Sequence, residues 1–173
     1  MKDASKAFAK VAHTKRGVTS LDYALKSIIK TKIYVGIPEG GKGDKRDDQS
    51  PITNSALGFI HEFGAPSRNI PARPFLEPSI RQAREEISGM MKKAAVRMIH
   101  GDVDAYDRIL EGCALHCASV VKTYMTDADF QPLAKATIKA RLYKHPGDDP
   151  DSMKPLLDTG SLRNAIEALV IKD

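Results

Sequence analysis

The sequence predicts an α+β fold, in which a small antiparallel sheet packs against a long antiparallel pair of helices. Residues 31–37 and 168–171 are apolar and rich in β-branched side chains, and pairing these distant segments would form a sheet. Between them, two long stretches repeat apolar residues every three or four positions, as amphipathic helices do. Gly101 separates the two stretches, which predicts a helical hairpin over residues 78–126.

The first third of the chain predicts two helices, the first strand and a loop. Residues 4–12 favour a short helix, and a second helix begins with Ser20 as its N-cap and leads into the strand. Pro38 ends the strand. Residues 39–51 contain glycines and alternating charges with no apolar side chain to bury, so they predict a mobile loop. A loop of this length is usually functional or ordered by a partner.

The next helix is predicted over residues 52–63, with Thr53 or Asn54 as its N-cap and Gly64 as its stop. Its apolar residues at helical spacing are Ala56, Phe59, Ile60 and Phe63. We predict that His61 and Glu62 form hydrogen bonds at the helix end, so that residues His61, Glu62, Phe63 and Gly64 orient the turn that follows.

The hairpin supplies the two longest helices. Pro78 suits the first turn of the first helix, whose apolar stripe includes Ile80, Ala94 and Met98. Asp102 caps the second helix. Its predicted stripe consists of Val103, Tyr106, Leu110, Cys113, Cys117, Val120 and Tyr124.

The last third predicts shorter elements. Residues 132–143 favour a helix, and residues 145–151 form a turn-rich linker. A short helix begins near Ser161, with Asp158 or Thr159 as its cap, and the second strand candidate follows.

Residues 65–78, which we call the proline arm, join the helix ending near Gly64 to the hairpin. Pro71 and Pro74 fix their own φ angles and bias the preceding residues towards extended conformations, so the arm should be stiff and extended. Arg73 would then present a planar guanidinium to a carboxylate at little entropic cost. Phe75 and Leu76 would provide an apolar anchor beside it. The residues equally allow an arm that folds back on its own helices.

Composition predicts a single soluble domain made in a cytoplasm. A chain of 173 residues has the length of one domain. Its two cysteines are too few and too close for a disulfide framework, and they suit a reducing compartment. No apolar run approaches the roughly 20 residues of a membrane span, and the polar first ten residues do not resemble a secretory signal. We therefore expect no membrane partner.

The net charge of +5 is concentrated at the start of the chain, where residues 1–35 hold eight Lys or Arg and two Asp. Lys6, Lys10, Lys15 and Arg16 predict a basic face that attracts DNA or an acidic protein, or that is simply solvated. Aromatic residues do not interleave with these cations, so a stacking platform for single strands is not expected.

Two partial motifs suggest catalysis and fail. Gly36 to Gly43 resembles a phosphate-binding loop, but Gly43 has no hydroxyl to ligate magnesium, and Pro38 removes a backbone donor. His61-Glu62 resembles half of a zinc protease motif, but Ala65 occupies the place of the second histidine.

Two further groups also favour a structural interpretation. Cys113 and Cys117, with His116 beside them, could offer zinc ligands, but the cysteines lie in an apolar stripe where buried cysteines are common. Asp158-Thr159-Gly160 lacks the second copy that an aspartic protease needs. The sequence therefore predicts no catalytic residue, no cofactor, no metal site and no enzyme activity.

Two phrases of the sequence resemble known families. Residues 58–78, GFIHEFGAPSRNIPARPFLEP, resemble the tail-completion or head–tail-joining proteins of long-tailed bacteriophages and prophages. Residues 154–163, KPLLDTGSLR, are similar to a phrase of the related phage virion-morphogenesis family. The positions that carry this second resemblance are Leu157, Asp158, Thr159, Gly160 and Leu162.

The resemblance implies a structural virion protein that acts through subunit contacts. It implies a ring, of six copies by the symmetry of tails, that completes the tail and joins it to the head connector. Its partners would be further copies, the connector or stopper, and the tail terminator or tail-tube proteins, with DNA passing through the lumen. Its location would be the head–tail junction of the virion, after assembly in the host cytoplasm. The suspected subunit interface comprises Ile70, Pro71, Arg73, Pro74, Phe75 and Leu76.

Two alternatives remain open on the sequence. One is a minor tail or capsid-associated morphogenesis protein, which differs from the first expectation only in its position within the particle. The other is a basic nucleic-acid-binding module, which depends on the lysines of residues 1–35.

Overall fold

The structure, a computed structural model, describes residues 15–46 and 50–173, with side chains from Ser20 onwards. The helix predicted over residues 4–12 lies outside the described residues, as do Lys6 and Lys10. Lys15 and Arg16 begin a helix, but their side chains lie outside the description, so the predicted basic face stays a prediction.

The described chain contains seven α-helices and a two-stranded antiparallel sheet, which confirms the predicted α+β class. The elements are α1 (Lys15–Lys30), β1 (Thr31–Gly36), α2 (Asn54–Phe63), α3 (Leu76–Gln82), α4 (Arg84–Ile99), α5 (Val103–Asp127), α6 (Lys135–Lys144), α7 (Ser161–Asn164) and β2 (Glu167–Lys172). Short 3₁₀ turns occupy Pro66–Arg68 and Pro150–Ser152.

The described residues form two compact units, where the chain length predicts one domain. The first unit contains residues 15–34, 85–114 and 169–173. The second unit contains residues 35–84 and 115–168, apart from 47–49. Helix α5 and both strands contribute residues to each unit.

The core of the first unit lies between α1, α4 and α5. Ala94 and Met98 of α4 are buried with Tyr106 and Leu110 of α5, and the strand residues Ile33 and Val170 pack against them. The turn between α4 and α5 lies at Gly101 and Asp102, as the sequence predicted. Gly101 has a left-handed φ of 81°, and Asp102 Oδ1 caps α5 by accepting the N–H of Ala105 at 3.1 Å.

The core of the second unit surrounds Phe75, which has no exposed surface. Its buried neighbours come from α5, from α7 and from the segments beside α7, and they are Ala118, Val121, Met125, Leu156, Leu162 and Ile166. Along α5 the buried face therefore runs through Val121 and Met125, where the sequence predicted Val120 and Tyr124. A helix of 25 residues drifts away from a seven-residue repeat, because 3.6 residues per turn do not divide seven evenly.

Three predicted boundaries are wrong. Ser20 was predicted to cap the start of a helix, but it lies inside α1, which already includes Lys15. The helix predicted from Pro78 begins at Leu76, and it is interrupted at Ala83, whose φ and ψ of −86° and 6° separate α3 from α4. The helix predicted over residues 132–143 begins only at Lys135, because the carbonyl groups of Gln131 and Pro132 accept hydrogen bonds from Arg73.

The described part of loop 39–51 is held by Asp44, although the sequence offered no apolar side chain to bury there. Asp44 is buried, and its carboxylate accepts the N–H groups of Gly40 and Ser55, each at 2.8 Å. These hydrogen bonds, the one from Gly40 foremost, lower the pKa of Asp44. Asn54 continues the attachment by donating its Nδ2 to the carbonyl of Gly43 at 2.7 Å.

Candidate functional site

The first half of the proline arm is a tight turn, where the sequence predicted an extended segment. Ala65 and Ile70 exchange both backbone hydrogen bonds, at 2.9 and 3.1 Å, and so close the 3₁₀ turn Pro66–Arg68. Asn69 completes this turn in the left-handed region with φ of 52°. Residues 71–75 then run outside any helix or turn. Pro66 and Asn69 favour turns, and this local preference overrides the extended bias.

Gly64 determines how closely the arm returns to α2. Its φ is 76°, and a Cβ atom at this position would lie 2.8 Å from the backbone nitrogen of Ala72. The sequence predicted Gly64 as a helix stop, and the structure adds that only glycine leaves room for the returning chain.

Glu62 fixes the far end of the arm. Its Oε2 accepts the N–H groups of Phe75 and Leu76 at 2.7 and 2.9 Å, and its Oε1 accepts the N–H of Glu77 at 3.1 Å. These are unpaired donors at the start of α3, where a carboxylate is also favoured by the helix dipole. The carbonyl of the preceding residue, His61, accepts the N–H of Arg73 at 2.6 Å. The end of α2 therefore holds the arm at two places, at Arg73 and at the start of α3.

Arg73 points into its own subunit. The residue is 6% exposed, and its guanidinium donates from Nε to the carbonyl of Gln131 at 2.8 Å and from Nη2 to the carbonyl of Pro132 at 2.9 Å. The predicted presentation of Arg73 to a neighbouring carboxylate is therefore wrong for this conformation. The extended backbone around the prolines directs the side chain towards residues 131–132.

Phe75 likewise serves the core of its own unit, so the predicted apolar anchor is not an exposed one. Leu76 is half-buried beside it. Ile70 and Pro71 are half-buried, and Pro74 is exposed. The subunit interface predicted for the arm stays a prediction, and the surface that these residues leave free is smaller than the sequence indicated.

The arm and the C-terminal phrase meet at one pocket of about 380 Å³, which both charged and apolar side chains line. Its lining includes Ile70, Pro71 and Arg73 from the arm, and Asp158, Thr159, Gly160, Ser161 and Leu162 from the phrase. The two stretches of sequence that carry the family resemblance thus form one site, although many residues separate them in the chain.

Arg141 of α6 connects the C-terminal phrase to this pocket. Its Nη1 donates to the carbonyl of Leu157 at 2.7 Å, and its Nε lies 3.4 Å from Oδ1 of Asp158. Asp158 is therefore an ion-pair partner and not the predicted helix cap, because α7 begins after Gly160 without a side-chain cap. Leu162 is buried in the core.

His61 lines the same pocket and is held neutral there. Burial lowers the pKa of His61 to about 4, helped by the nearby charges of Arg73, Arg141 and Arg46. Its Nδ1 atom is buried and has no hydrogen-bond partner. Sequence reasoning assigned His61 to a turn, and no local signal placed it among three arginines.

An apolar groove lies on the other side of α2, and the sequence did not predict it. Phe59 and Phe63, two of the apolar residues at helical spacing in α2, are each 65% exposed, and their ring centroids lie 4.8 Å apart. The groove measures about 830 Å³ and also includes Leu76 and Ile80 of α3. The inward face of α2 carries Asn54 and Gly58 instead, because a Cβ atom at Gly58 would come within 2.9 Å of Ile37.

Within residues 15–46 and 50–173, no group of three His, Cys, Asp or Glu residues is arranged to hold a metal ion. Cys113 and Cys117 are buried in α5 and form no disulfide. None of the helices in this described part of the chain is both long and apolar enough to cross a membrane.

Comparison with known proteins gives one short similarity. No protein-family model matches the chain, and no solved structure matches it. An uncharacterised protein of Methanocaldococcus jannaschii is 36% identical over 47 residues, which cover 27% of this chain and 35% of that protein. The chain thus spans about a third of the length of that relative.

Proposed function

We propose that this chain is a structural protein of a phage or prophage particle, which forms a ring at the head–tail junction and joins the tail to the head connector. The family resemblance supplies the biology. Its two phrases lie together at the pocket between the arm and α6, which is what a shared functional region would require. The proposed chemistry is contact between subunits, without catalysis.

The observation that carries this proposal is the exposed pair Phe59 and Phe63, in the last turns of α2 just before the arm begins. Fully burying a phenylalanine side chain contributes about 1.5–3 kcal/mol. A partner surface that covers both rings would therefore obtain a large share of its binding free energy from them. We propose a second copy of this chain as the partner. A ring closes when one patch of each copy docks on a different patch of the next copy, so the groove and its partner surface need not be alike.

Deleting the gene from the phage or prophage that encodes it tests the position in the particle. We expect filled heads and separate tails that fail to join, because the ring that completes the tail at the junction is missing. Electron microscopy of the lysate distinguishes this from other roles. Normally joined particles would contradict the proposal, and absent heads would point to a capsid role.

Two matched variants test the contact surface. The double substitution of Phe59→Ser and Phe63→Ser should leave the fold intact, because both side chains are largely exposed, and should abolish joining. Tyr143→Ser is the control, since Tyr143 is 88% exposed in the same unit and lies outside the groove. Joining that survives the double substitution, with the variant folded, would remove the groove from the proposal.

A further inference from the structure

The pocket between the arm and α6 contains a buried cation, Arg73, that has no counter-ion among the described residues. Arg73 is 6% exposed, and no carboxylate pairs with it among the residues that the structure describes. Its guanidinium donates hydrogen bonds to two neutral carbonyl groups, those of Gln131 and Pro132. Transferring a charged group out of water is costly unless an opposite charge compensates it. Burial and the charge of Arg141 accordingly lower the pKa of Arg73.

The other charged groups of the pocket increase this imbalance. Arg141 and Lys144 of α6 line the pocket with Arg73, and Asp158 is the one carboxylate among the lining residues. Asp158 lies 3.4 Å from Arg141, so that its charge is already shared. Among the lining residues that the structure describes, and leaving Arg46 aside, three cations face a single anion. About two further negative charges would therefore neutralise the lining of the pocket.

The uncharged lining supplies hydrogen-bonding groups. Asn69, Thr159 and Ser161 line the same space, and the buried Nδ1 of His61 has no partner. Guanidinium groups match the oxygen spacing of phosphate and carboxylate groups. A phosphate group carries about −1.5 to −2 charges near pH 7, which corresponds to the charge that the pocket lacks.

We propose that this pocket binds a phosphate-type oxyanion, either free or borne on a small ester, with Arg73, Arg141 and Lys144 as its charged ligands. The proposal is independent of the role at the head–tail junction. Arg73 would donate through the part of its guanidinium that the carbonyl groups of residues 131–132 do not use. Lys144 is exposed on the last turn of α6, where it can close over the anion.

Isothermal titration with inorganic phosphate at pH 7.5 and constant ionic strength tests the site on the whole chain. We expect saturable binding that chloride does not reproduce. Lys144→Gln should weaken binding by about tenfold to a hundredfold, the value of one charge-assisted hydrogen bond. Lys139→Gln is the matched control, because Lys139 is exposed on the same helix and does not line the pocket. A second titration with O-phosphoserine distinguishes a free anion from an ester.

The ring of His61 gives a readout that an unspecific charge effect would not produce. Burial lowers the pKa of His61 most, and the charges of Arg73, Arg141 and Arg46 lower it further. Bound phosphate neutralises these charges, so the His61 pKa, followed by NMR, should rise from about 4 when phosphate is added. Absence of saturable binding, or equal weakening by Lys144→Gln and Lys139→Gln, would overturn the proposal. An unchanged His61 pKa at saturating phosphate would also overturn it, because the anion would then sit elsewhere.

Discussion

Replacing Glu62 by Gln should destabilise the protein by about 2 kcal/mol, because one carboxylate holds three backbone N–H groups at the start of α3. The Oε2 atom accepts two of them, at 2.7 and 2.9 Å, and Oε1 accepts the third at 3.1 Å. A hydrogen bond to a charged acceptor contributes about 1.5–3 kcal/mol, and a neutral one about 1 kcal/mol.

The magnitude follows from what glutamine retains. Its carbonyl oxygen can keep the two bonds at the Oε2 position as neutral hydrogen bonds. Its amide group cannot accept the N–H of Glu77, so that exposed bond to a charged acceptor, of about 1.5 kcal/mol, is lost. Removing the negative charge from the N-terminus of the helix costs about 0.3–1 kcal/mol more. Glu62→Ala removes all three bonds and should cost about 4–5 kcal/mol, at the lower value of about 1.5 kcal/mol for each bond.

Urea denaturation followed by circular dichroism measures this loss as a shift of the midpoint at unchanged slope. Glu77→Gln is the matched control, since it removes a carboxylate from the first turn of α3, where the side chain forms an exposed ion pair with Arg81. Such a pair contributes less than about 0.5 kcal/mol. If Glu62→Gln is as stable as Glu77→Gln, the carboxylate does not hold the arm, and the reasoning is refuted.

Two further predictions concern single groups. Stability should fall by up to about 3 kcal/mol as the pH falls from 6.5 towards 4, because the unfolded state protonates His61 at its ordinary pKa whereas burial holds the folded pKa at about 4. Urea midpoints at several pH values measure this fall, which should shrink in His61→Gln, and an unchanged fall would contradict it. Tyr106→Phe should cost about 1 kcal/mol in thermal unfolding, since the buried hydroxyl donates to Thr31 Oγ1 at 2.8 Å. Tyr34→Phe, at an exposed position, should be neutral, and equal effects would refute the role of this bond.

Elements whose signals are local could be predicted from the sequence. Thr53 caps α2 by accepting the N–H of Ala56, and Gly64 ends it, as the residue types indicated. The hairpin turn at Gly101 and Asp102 was predicted for the same reason, because each residue acts on a backbone that lies within a few positions. The two strands were found by composition, and their pairing by the need of each to bury one face.

Features that depend on distant residues were not predicted. Helical spacing could not tell which face of α2 is buried, since both faces carry apolar residues and the choice depends on the close approach of Ile37 to Gly58. The burial of Asp44 is a second case. Its partner Gly40 lies in the same loop, which looked structureless, but its partner Ser55 lies in α2, eleven residues further along the chain.

The sequence by itself determined the α+β class, the positions of most helices and strands, and the presence of a proline arm. Only the tertiary structure decided what that arm does, because the partners of Arg73 lie in a segment that begins near Gln131 and no local rule brings the two together. The tertiary structure also leaves the side chains of Phe59 and Phe63 open to solvent, and it brings His61, Arg73 and Arg141 together in one pocket. Local backbone preferences act over a few residues, whereas burial and charge depend on which distant segment packs against each side chain.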